Sequence, residues 1–115
     1  MPELRRKNKA ILNQSKEADL HFIVKVLLWK KCIEKGHQAV TEFKLGKKIV
    51  DVIDDTNRVL YEVEKHPTPK YRQTQLAIAE KLDAVSYVID LTKDIPDDVK
   101  KSIEKLAKYL DTLIP

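Results

Sequence analysis

The chain has 115 residues, of which 43% are hydrophobic and 35% are charged, and its formal net charge is +4. This length and composition predict one globular domain and exclude a disordered chain. The one cysteine, Cys32, leaves no internal disulfide and no zinc cluster. No apolar run approaches the roughly 18 residues that span a bilayer, and Met1–Asn8 leads into no signal-like apolar stretch. We therefore expect an intracellular, cytoplasmic protein with no membrane partner.

Charge is unevenly distributed along the chain. Residues 1–48 contain twelve lysines and arginines against five acidic residues, a net charge of +7. Residues 49–115 contain ten against thirteen, a net charge of −3. A basic half beside an acidic cluster suits a polyanionic partner held near a metal site, and a basic surface that only aids solubility gives the same pattern.

Residues 1–14 form a basic segment, which we interpret as a flexible arm that precedes one domain at residues 15–115. The segment is either an arm on a phosphate backbone or a solubilising terminus. Ser15 is a plausible N-cap for a first helix that runs to about Lys35 with apolar residues at helical spacing. Cys32 falls in this apolar stripe and is predicted to be a buried small hydrophobe. His21 is interpreted as a helix histidine rather than a metal ligand.

Three strands are predicted next, at His37–Leu45, Lys48–Asp54 and Arg58–Lys65, because β-branched residues alternate with polar ones. Val50 and Val52 are predicted to share an apolar face that a helix covers. Further along the chain, prolines precede a second helix that runs to about Lys81. A buried fourth strand follows at residues 85–91, parallel to the third by a right-handed crossover, and an amphipathic helix covers residues 97–113.

The second and third strands are predicted to form a hairpin with a two-residue turn at residues 56–57. In this register Ile53 faces Leu60 and Asp51 faces Glu62, and Glu64 joins the same face. Opposed like charges are destabilising, whereas a divalent cation would turn the repulsion into coordination. The alternative is a solvated polar face, and a one-residue slip would move Asp51 away from both glutamates.

The element order α-β-β-β-α-β-α predicts an α/β sandwich with a mixed central sheet. This order and the hairpin residues resemble the PD-(D/E)XK nuclease superfamily, which has the restriction-endonuclease-like fold, and small archaeal Holliday junction resolvases are similar in size and layout. The family has acidic residues in the first helix, the second strand and the third strand, where this chain has Glu17, Asp51 and Glu62. Gln75 takes the place of a polar residue on the following helix. Glu64 is a departure, because the family usually has lysine there.

The resemblance implies a Mg²⁺- or Mn²⁺-dependent endonuclease acting on DNA, including branched DNA, as a homodimer. The implied metal ligands are Glu17, Asp51, Glu62 and the carbonyl of Val63. Glu64 would act as a base or a second metal ligand, or Lys65 would reach the site through a bulge. The alternatives are an inactive nucleic-acid-binding module on the same fold and a small interaction protein. The residues expected to contact nucleic acid are Arg5, Arg6, Lys7, Lys9, Lys47, Lys48, Lys70 and Arg72.

Overall fold

The computed structural model describes residues 16–115, with side chains from Asp19 onward. The element order α-β-β-β-α-β-α and the mixed four-stranded sheet are those predicted from the sequence. The elements are α1 (Lys16–Glu34), β1 (Ala39–Leu45), β2 (Lys48–Asp54), β3 (Val59–Glu64), α2 (Pro69–Lys81), β4 (Val85–Asp90), a 3₁₀ turn (Val99–Lys101) and α3 (Ile103–Leu113).

The sheet has the strand order β1-β2-β3-β4. The first three strands are antiparallel neighbours, and β4 pairs in parallel with β3 from Val59↔Val85 to Glu64↔Asp90. The parallel pairing requires a crossover connection, which α2 provides. The predicted parallel fourth strand is therefore confirmed.

The last helix is shorter than predicted. Residues 97–113 were expected to form one amphipathic helix, but α3 begins only at Ile103. Ser102 has an extended backbone (φ −140°, ψ 130°), and its hydroxyl accepts a hydrogen bond from the Lys105 N–H at 3.3 Å. Ser102 therefore ends the preceding 3₁₀ turn and caps the helix, because capping residues need a non-helical backbone.

Helices cover both faces of the sheet. On one face α1 and α3 pack together, and the larger hydrophobic cluster lies beneath them. This larger cluster comprises Val24, Leu28, Cys32, Val52, Val59, Tyr61, Val63, Ile89, Leu91, Ile95, Leu106, Leu110 and Ile114. On the other face α2 covers a smaller cluster of Val50, Leu60 and Ala79.

The alternation of side chains along β2 breaks at Asp51. Residues two apart on a strand normally share a face, yet Val52 belongs to the larger cluster and Val50 to the smaller one. On the neighbouring strand Glu42 has φ +52°, and it is omitted from the ladder between Thr41↔Val52 and Phe43↔Val50. The prediction that Val50 and Val52 share a face is wrong, because a regular pleat does not continue through this point.

The register of the β2–β3 hairpin is the predicted one, since Ile53 pairs with Leu60. The turn differs from the prediction, because four residues, 55–58, connect Asp54 to Val59. The residue in the left-handed conformation is Arg58, at φ +57°. The Asn57 N–H donates a hydrogen bond to Asp54 Oδ1 at 3.2 Å, so the last side chain of β2 stabilises the turn.

An apolar groove of about 700 Å³ lies at the part of the sheet nearest β1. Its lining includes Val40 and Phe43 from β1, Ile53 from β2 and Leu82 after α2. Val40 and Phe43 are exposed by 48% and 43%, so no element of residues 16–115 covers this region completely. None of the predicted site residues within the described part of the chain lines the groove.

Candidate active site

The candidate site lies where the ladder between β2 and β3 ends. The last paired residues are Val52 and Tyr61, and the next position on each strand holds Asp51 and Glu62. The N–H of Val63 donates a hydrogen bond to Asp51 Oδ2 at 2.8 Å. A carboxylate is thus held against β3 directly beyond the paired region, where Asp51 and Glu62 are not themselves a ladder pair.

Asp51 lies between β3 and the cationic side of α1. His21 Nε2 is 3.4 Å from Asp51 Oδ2, and Lys25 lies one helical turn further along α1. Burial raises the pKa of Asp51, but the contact with His21 and the hydrogen bond from Val63 outweigh burial, so the pKa lies below its usual range. The same contact raises the pKa of His21. Asp51 is therefore an anion at neutral pH.

Glu62 differs from Asp51 because its pKa is raised rather than lowered. The residue is only 4% exposed, and its Oε2 accepts a hydrogen bond from the Tyr71 hydroxyl at 3.2 Å. Its Oε1 is buried without a hydrogen-bond partner among the described residues. Burial, followed by the negative charge of Asp51, raises the pKa of Glu62 to about 7, while Lys48 and Tyr71 act in the opposite direction. Glu62 therefore changes charge near neutral pH.

Two adjacent carboxyl groups with separated pKa values are typical of sites that bind cations or transfer protons. The charge of one group raises the pKa of the other. A cation that replaces the proton would therefore stabilise both carboxylates. The buried Oε1 of Glu62 has no donor among the side chains and backbone that the structure describes, and burying such an oxygen destabilises the fold. Asp51 and Glu62 therefore fit a hard divalent cation, which prefers oxygen ligands.

Other predicted catalytic residues lie around this pair. Glu64 is partly buried at the end of β3, and its charge raises the pKa values of both His21 and Tyr71. Gln75 on α2 is 3% exposed, and its Nε2 has no hydrogen-bond partner among the described residues. Lys65 is exposed just past the end of β3.

The bulge considered for Lys65 is not within β3, because each residue from Val59 to Glu64 has one partner in β4. Glu17 lies in the first turn of α1, four residues before His21, and its side chain lies outside the part of the chain that the structure describes. The geometry of the predicted metal ligands is thus established for Asp51 and Glu62, whereas the place of the Glu17 carboxylate stays a prediction.

The predicted basic contacts divide into two groups. Lys48 Nζ lies 5.0 Å from the centre of the Tyr71 ring, so the start of β2 lies beside the start of α2. Lys47 and Lys70 are exposed neighbours of these two residues in sequence. Arg72 instead lines a separate groove beside β4. Arg5, Arg6, Lys7 and Lys9 fall outside the residues described.

Sequence reasoning did not place His21 and Tyr71 at this site. The available signal for His21 was its spacing, because Glu17, His21 and Lys25 follow one another at intervals of four residues on a helix. Tyr71 gave no such signal. It reaches Glu62 because the Thr68 hydroxyl caps α2, accepting a hydrogen bond from the Tyr71 N–H at 3.1 Å.

A second polar cluster is more compact than the carboxylate pair. Among the side chains that the structure describes, one set of three His, Cys, Asp or Glu residues has ligand atoms that all lie within 4.8 Å of one another. This set is Cys32, His37 and Asp54. Asp51, Glu62 and Glu64 do not meet this condition. The carboxylate site would thus need side-chain movements to bring a third ligand to a cation.

Comparisons with known proteins give no relative for this chain. No family model matches it, and no curated protein and no solved structure matches it either. Within the described part of the chain, no helix is long and apolar enough to cross a membrane. The α/β fold with its mixed sheet is therefore established by the structure itself, and the function has to be argued from the site.

Proposed function

We propose that this protein is a metal-dependent nuclease that hydrolyses phosphodiester bonds in DNA. The observation that carries the proposal is the buried Glu62 beside the anionic Asp51, with Glu62 Oε1 lacking a partner among the described residues. A cation is the group that best satisfies both carboxylates. The order of elements and the mixed sheet support assignment to the restriction-endonuclease-like fold.

Asp51 and Glu62 would hold Mg²⁺ or Mn²⁺, with the Val63 carbonyl and Glu17 as further oxygen ligands. A bound ion of this kind polarises a phosphoryl oxygen and lowers the pKa of its bound water. The rest of the chain keeps the carboxylates in position. The Val63 N–H orients Asp51, and the Tyr71 hydroxyl orients Glu62.

Glu64 accepts a proton from the attacking water in this proposal. The water oxygen bonds to phosphorus, the bond to the ester oxygen breaks, and the leaving oxygen takes a proton from solvent. Glu64 suits this role because it is partly buried near His21 and Tyr71. Lys65 is the alternative group for orienting the water, and Gln75 would donate a hydrogen bond from Nε2, which has no partner among the described residues.

Lys47, Lys48 and Lys70 would contact phosphates without reading bases, so binding should weaken as salt rises. Arg72 and the basic arm would extend the same contact along the nucleic acid. A homodimer, working inside the cell, would allow both strands of a duplex or a branched junction to be cut. Sedimentation with and without branched DNA tests the dimer.

The proposal is tested with branched, duplex and single-stranded DNA in the presence of Mg²⁺ or Mn²⁺. Asp51→Asn and Glu62→Gln should each lower the cleavage rate by roughly a hundredfold or more and leave DNA binding largely intact. Glu80→Gln, at an exposed position on α2, is the matched control and should cleave normally. Cleavage that is unchanged in both site variants, or that survives chelation of the metal, would contradict the proposal.

The second candidate is a nucleic-acid-binding module without catalysis on the same fold. Two observations favour it: Glu64 stands where related nucleases usually have lysine, and the three carboxylates do not converge as closely as the Cys32 cluster. This module would bind DNA with a steep salt dependence and cleave none of the substrates with either metal. A small interaction protein would show neither DNA binding nor site-specific Mn²⁺ binding by calorimetry.

A further inference from the structure

Three residues from separate parts of the chain converge on a point beside the β2–β3 turn. Cys32 lies in the last turns of α1, and Asp54 is the final residue of β2. His37 follows Gly36, whose φ of +82° reverses the chain after α1. One sulfur, nitrogen or oxygen atom of each side chain lies within 4.8 Å of the other two.

We infer that Cys32, His37 and Asp54 form a binding site for a zinc ion. Thiolate sulfur, imidazole nitrogen and carboxylate oxygen are the three ligand types that Zn²⁺ accepts. Mg²⁺ takes oxygen ligands almost exclusively, so this donor set would discriminate against the ion expected at Asp51 and Glu62. The inference is independent of the proposed nuclease activity.

The distances suit a site that closes on the ion. Ligand atoms in a tetrahedral zinc site lie about 3.3–3.7 Å apart. The His37 Nδ1 and Asp54 Oδ2 atoms are 2.8 Å apart, so this pair opens by about half an ångström when an ion enters between the two atoms. The other separations are within 4.8 Å, so each closes by about one ångström at most. The Cys32 thiol gives its proton to solvent as the zinc–sulfur bond forms.

Hydrogen bonds already orient the carboxylate for this role. The Asn57 N–H donates a hydrogen bond to Asp54 Oδ1 at 3.2 Å, and the Asn57 side-chain amide donates one to Oδ2 at 3.4 Å, so both carboxylate oxygens are held in place beside His37. Outer contacts of this kind fix metal ligands in position and strengthen binding. Without metal, the His37 ring and the Cys32 thiol share Asp54 as their hydrogen-bond partner.

A buried hydroxyl beside the cluster supports the inference. The hydroxyl of Tyr61 has no hydrogen-bond partner among the described residues, although the residue is fully buried. Tyr61 is close enough for the charges of Cys32 and Asp54 to add to the effect of burial and raise its pKa. Three protein ligands leave a fourth zinc position for water, and that water would supply the partner that Tyr61 lacks.

An entry path is also present. The side chain of His37 is 14% exposed, and His37 lines the apolar groove of about 700 Å³ beside β1. An ion can therefore approach His37 from the groove and then meet Cys32 at the margin of the larger hydrophobic cluster, to which Cys32 belongs. Ligand types, outer contacts and an access route are three of the features expected of a zinc site.

The test uses the full chain without an affinity tag, stripped of metal and titrated with Co²⁺ and then with Zn²⁺. With Mg²⁺ in excess to occupy the Asp51–Glu62 site, we expect one Co²⁺ per chain with a thiolate charge-transfer band and the visible bands of tetrahedral cobalt, all displaced by Zn²⁺. His37→Gln should weaken Zn²⁺ binding by roughly a hundredfold, and Cys32→Ala should abolish the charge-transfer band. His21→Gln, at the histidine beside Asp51, is the matched control and should change neither result.

The inference is wrong if the wild-type protein gives no thiolate band at saturating Co²⁺. It is also wrong if folded His37→Gln binds Zn²⁺ as tightly as the wild type. Circular dichroism checks folding, and the partly exposed His37 variant decides the question if the buried Cys32 variant unfolds. Loss of DNA cleavage in Glu62→Gln with the cobalt spectrum unchanged would show that the two sites are separate.

Discussion

Replacing Glu62 with glutamine should make the fold more stable near pH 8 and leave it almost unchanged near pH 4.5. The carboxyl group is buried next to the anionic Asp51, and its pKa is raised from 4.5 to about 7. The folded protein therefore binds this proton more tightly than the unfolded chain does. Glutamine has the same size, accepts the hydrogen bond from Tyr71 and carries no charge.

The sign of the pH dependence follows from linkage. Because the folded-state pKa is raised, the stability that the proton contributes is complete below pH 4.5 and is lost as pH rises through about 7. Each pKa unit corresponds to about 1.4 kcal/mol. The shift at Glu62 therefore lowers the free energy of unfolding by about 3 kcal/mol between acid and mildly alkaline pH, and Glu62→Gln should remove that loss.

Urea denaturation of the wild type and the variant at several pH values, with chelator present, measures this difference. Near pH 8 the midpoint of Glu62→Gln should exceed that of the wild type by about 2 M. Glu80→Gln, at an exposed position, should follow the wild type at every pH. Adding Mg²⁺ near pH 8 should then stabilise the wild type and not Glu62→Gln.

The reasoning is refuted if the wild type and Glu62→Gln lose stability in parallel as pH rises. A loss shared by both proteins would arise elsewhere, for example at His21. A variant that is less stable than the wild type near pH 8 would also contradict the reasoning, because Glu62 would then be stabilised as an anion by groups in the fold.

Three further substitutions have defined outcomes. His21→Gln should raise the pKa of Asp51 towards its usual range, because the imidazole contact lowers it; carboxyl ¹³C chemical shifts followed against pH measure this. The stability that Asp51 contributes, which is lost as pH falls from its unfolded to its folded pKa, should become smaller in the variant. Thr68→Ala removes the hydroxyl that accepts a hydrogen bond from the Tyr71 N–H and caps α2, so thermal unfolding should show a loss of about 1 kcal/mol. Gly36→Ala should lose about 1 kcal/mol in the same assay because of φ +82°; nothing lies within 4 Å of the added carbon, so a larger loss would disprove a purely backbone origin.

The sequence was sufficient to predict the order of elements and the pairing of the hairpin. Alternation of apolar and polar residues fixes strand register wherever one face is buried, and Ile53 opposite Leu60 follows from that pattern. The parallel β4 was predictable because a helix separates it from β3. These features depend on local patterns that repeat over several residues.

The failures occur at single residues whose backbone departs from a regular pattern. The positive φ values of Glu42 and Arg58 have no signature in sequence, since both residues are ordinary strand or turn residues. The positive φ of Glu42 contributes to the break in alternation that moves Val50 to the smaller cluster. The positive φ of Arg58 allows a four-residue turn in place of the predicted two-residue turn.

The residues that surround the carboxylates at each candidate site were harder to predict than the positions of the carboxylates themselves. His21 reaches Asp51 only because α1 packs on the sheet with that side turned towards β2, and the rotation of a helix about its axis is set by the whole core. Cys32, His37 and Asp54 lie five and seventeen residues apart, a spacing that matches no metal motif. Their convergence depends on the reversal at Gly36 and on the length of β2.

The switch of faces along β2 has a consequence for how the molecule opens. Val50 and Val52 are both fully buried, and each belongs to a different hydrophobic cluster. Separating α2 from the sheet would disturb β2, the strand on which α1 also packs. The helices on one face of the sheet therefore cannot detach without loosening the helices on the other face. Amide hydrogen exchange should accordingly report one cooperative unit spanning β2 and β3, in which the slowest protons on both faces exchange together through global unfolding.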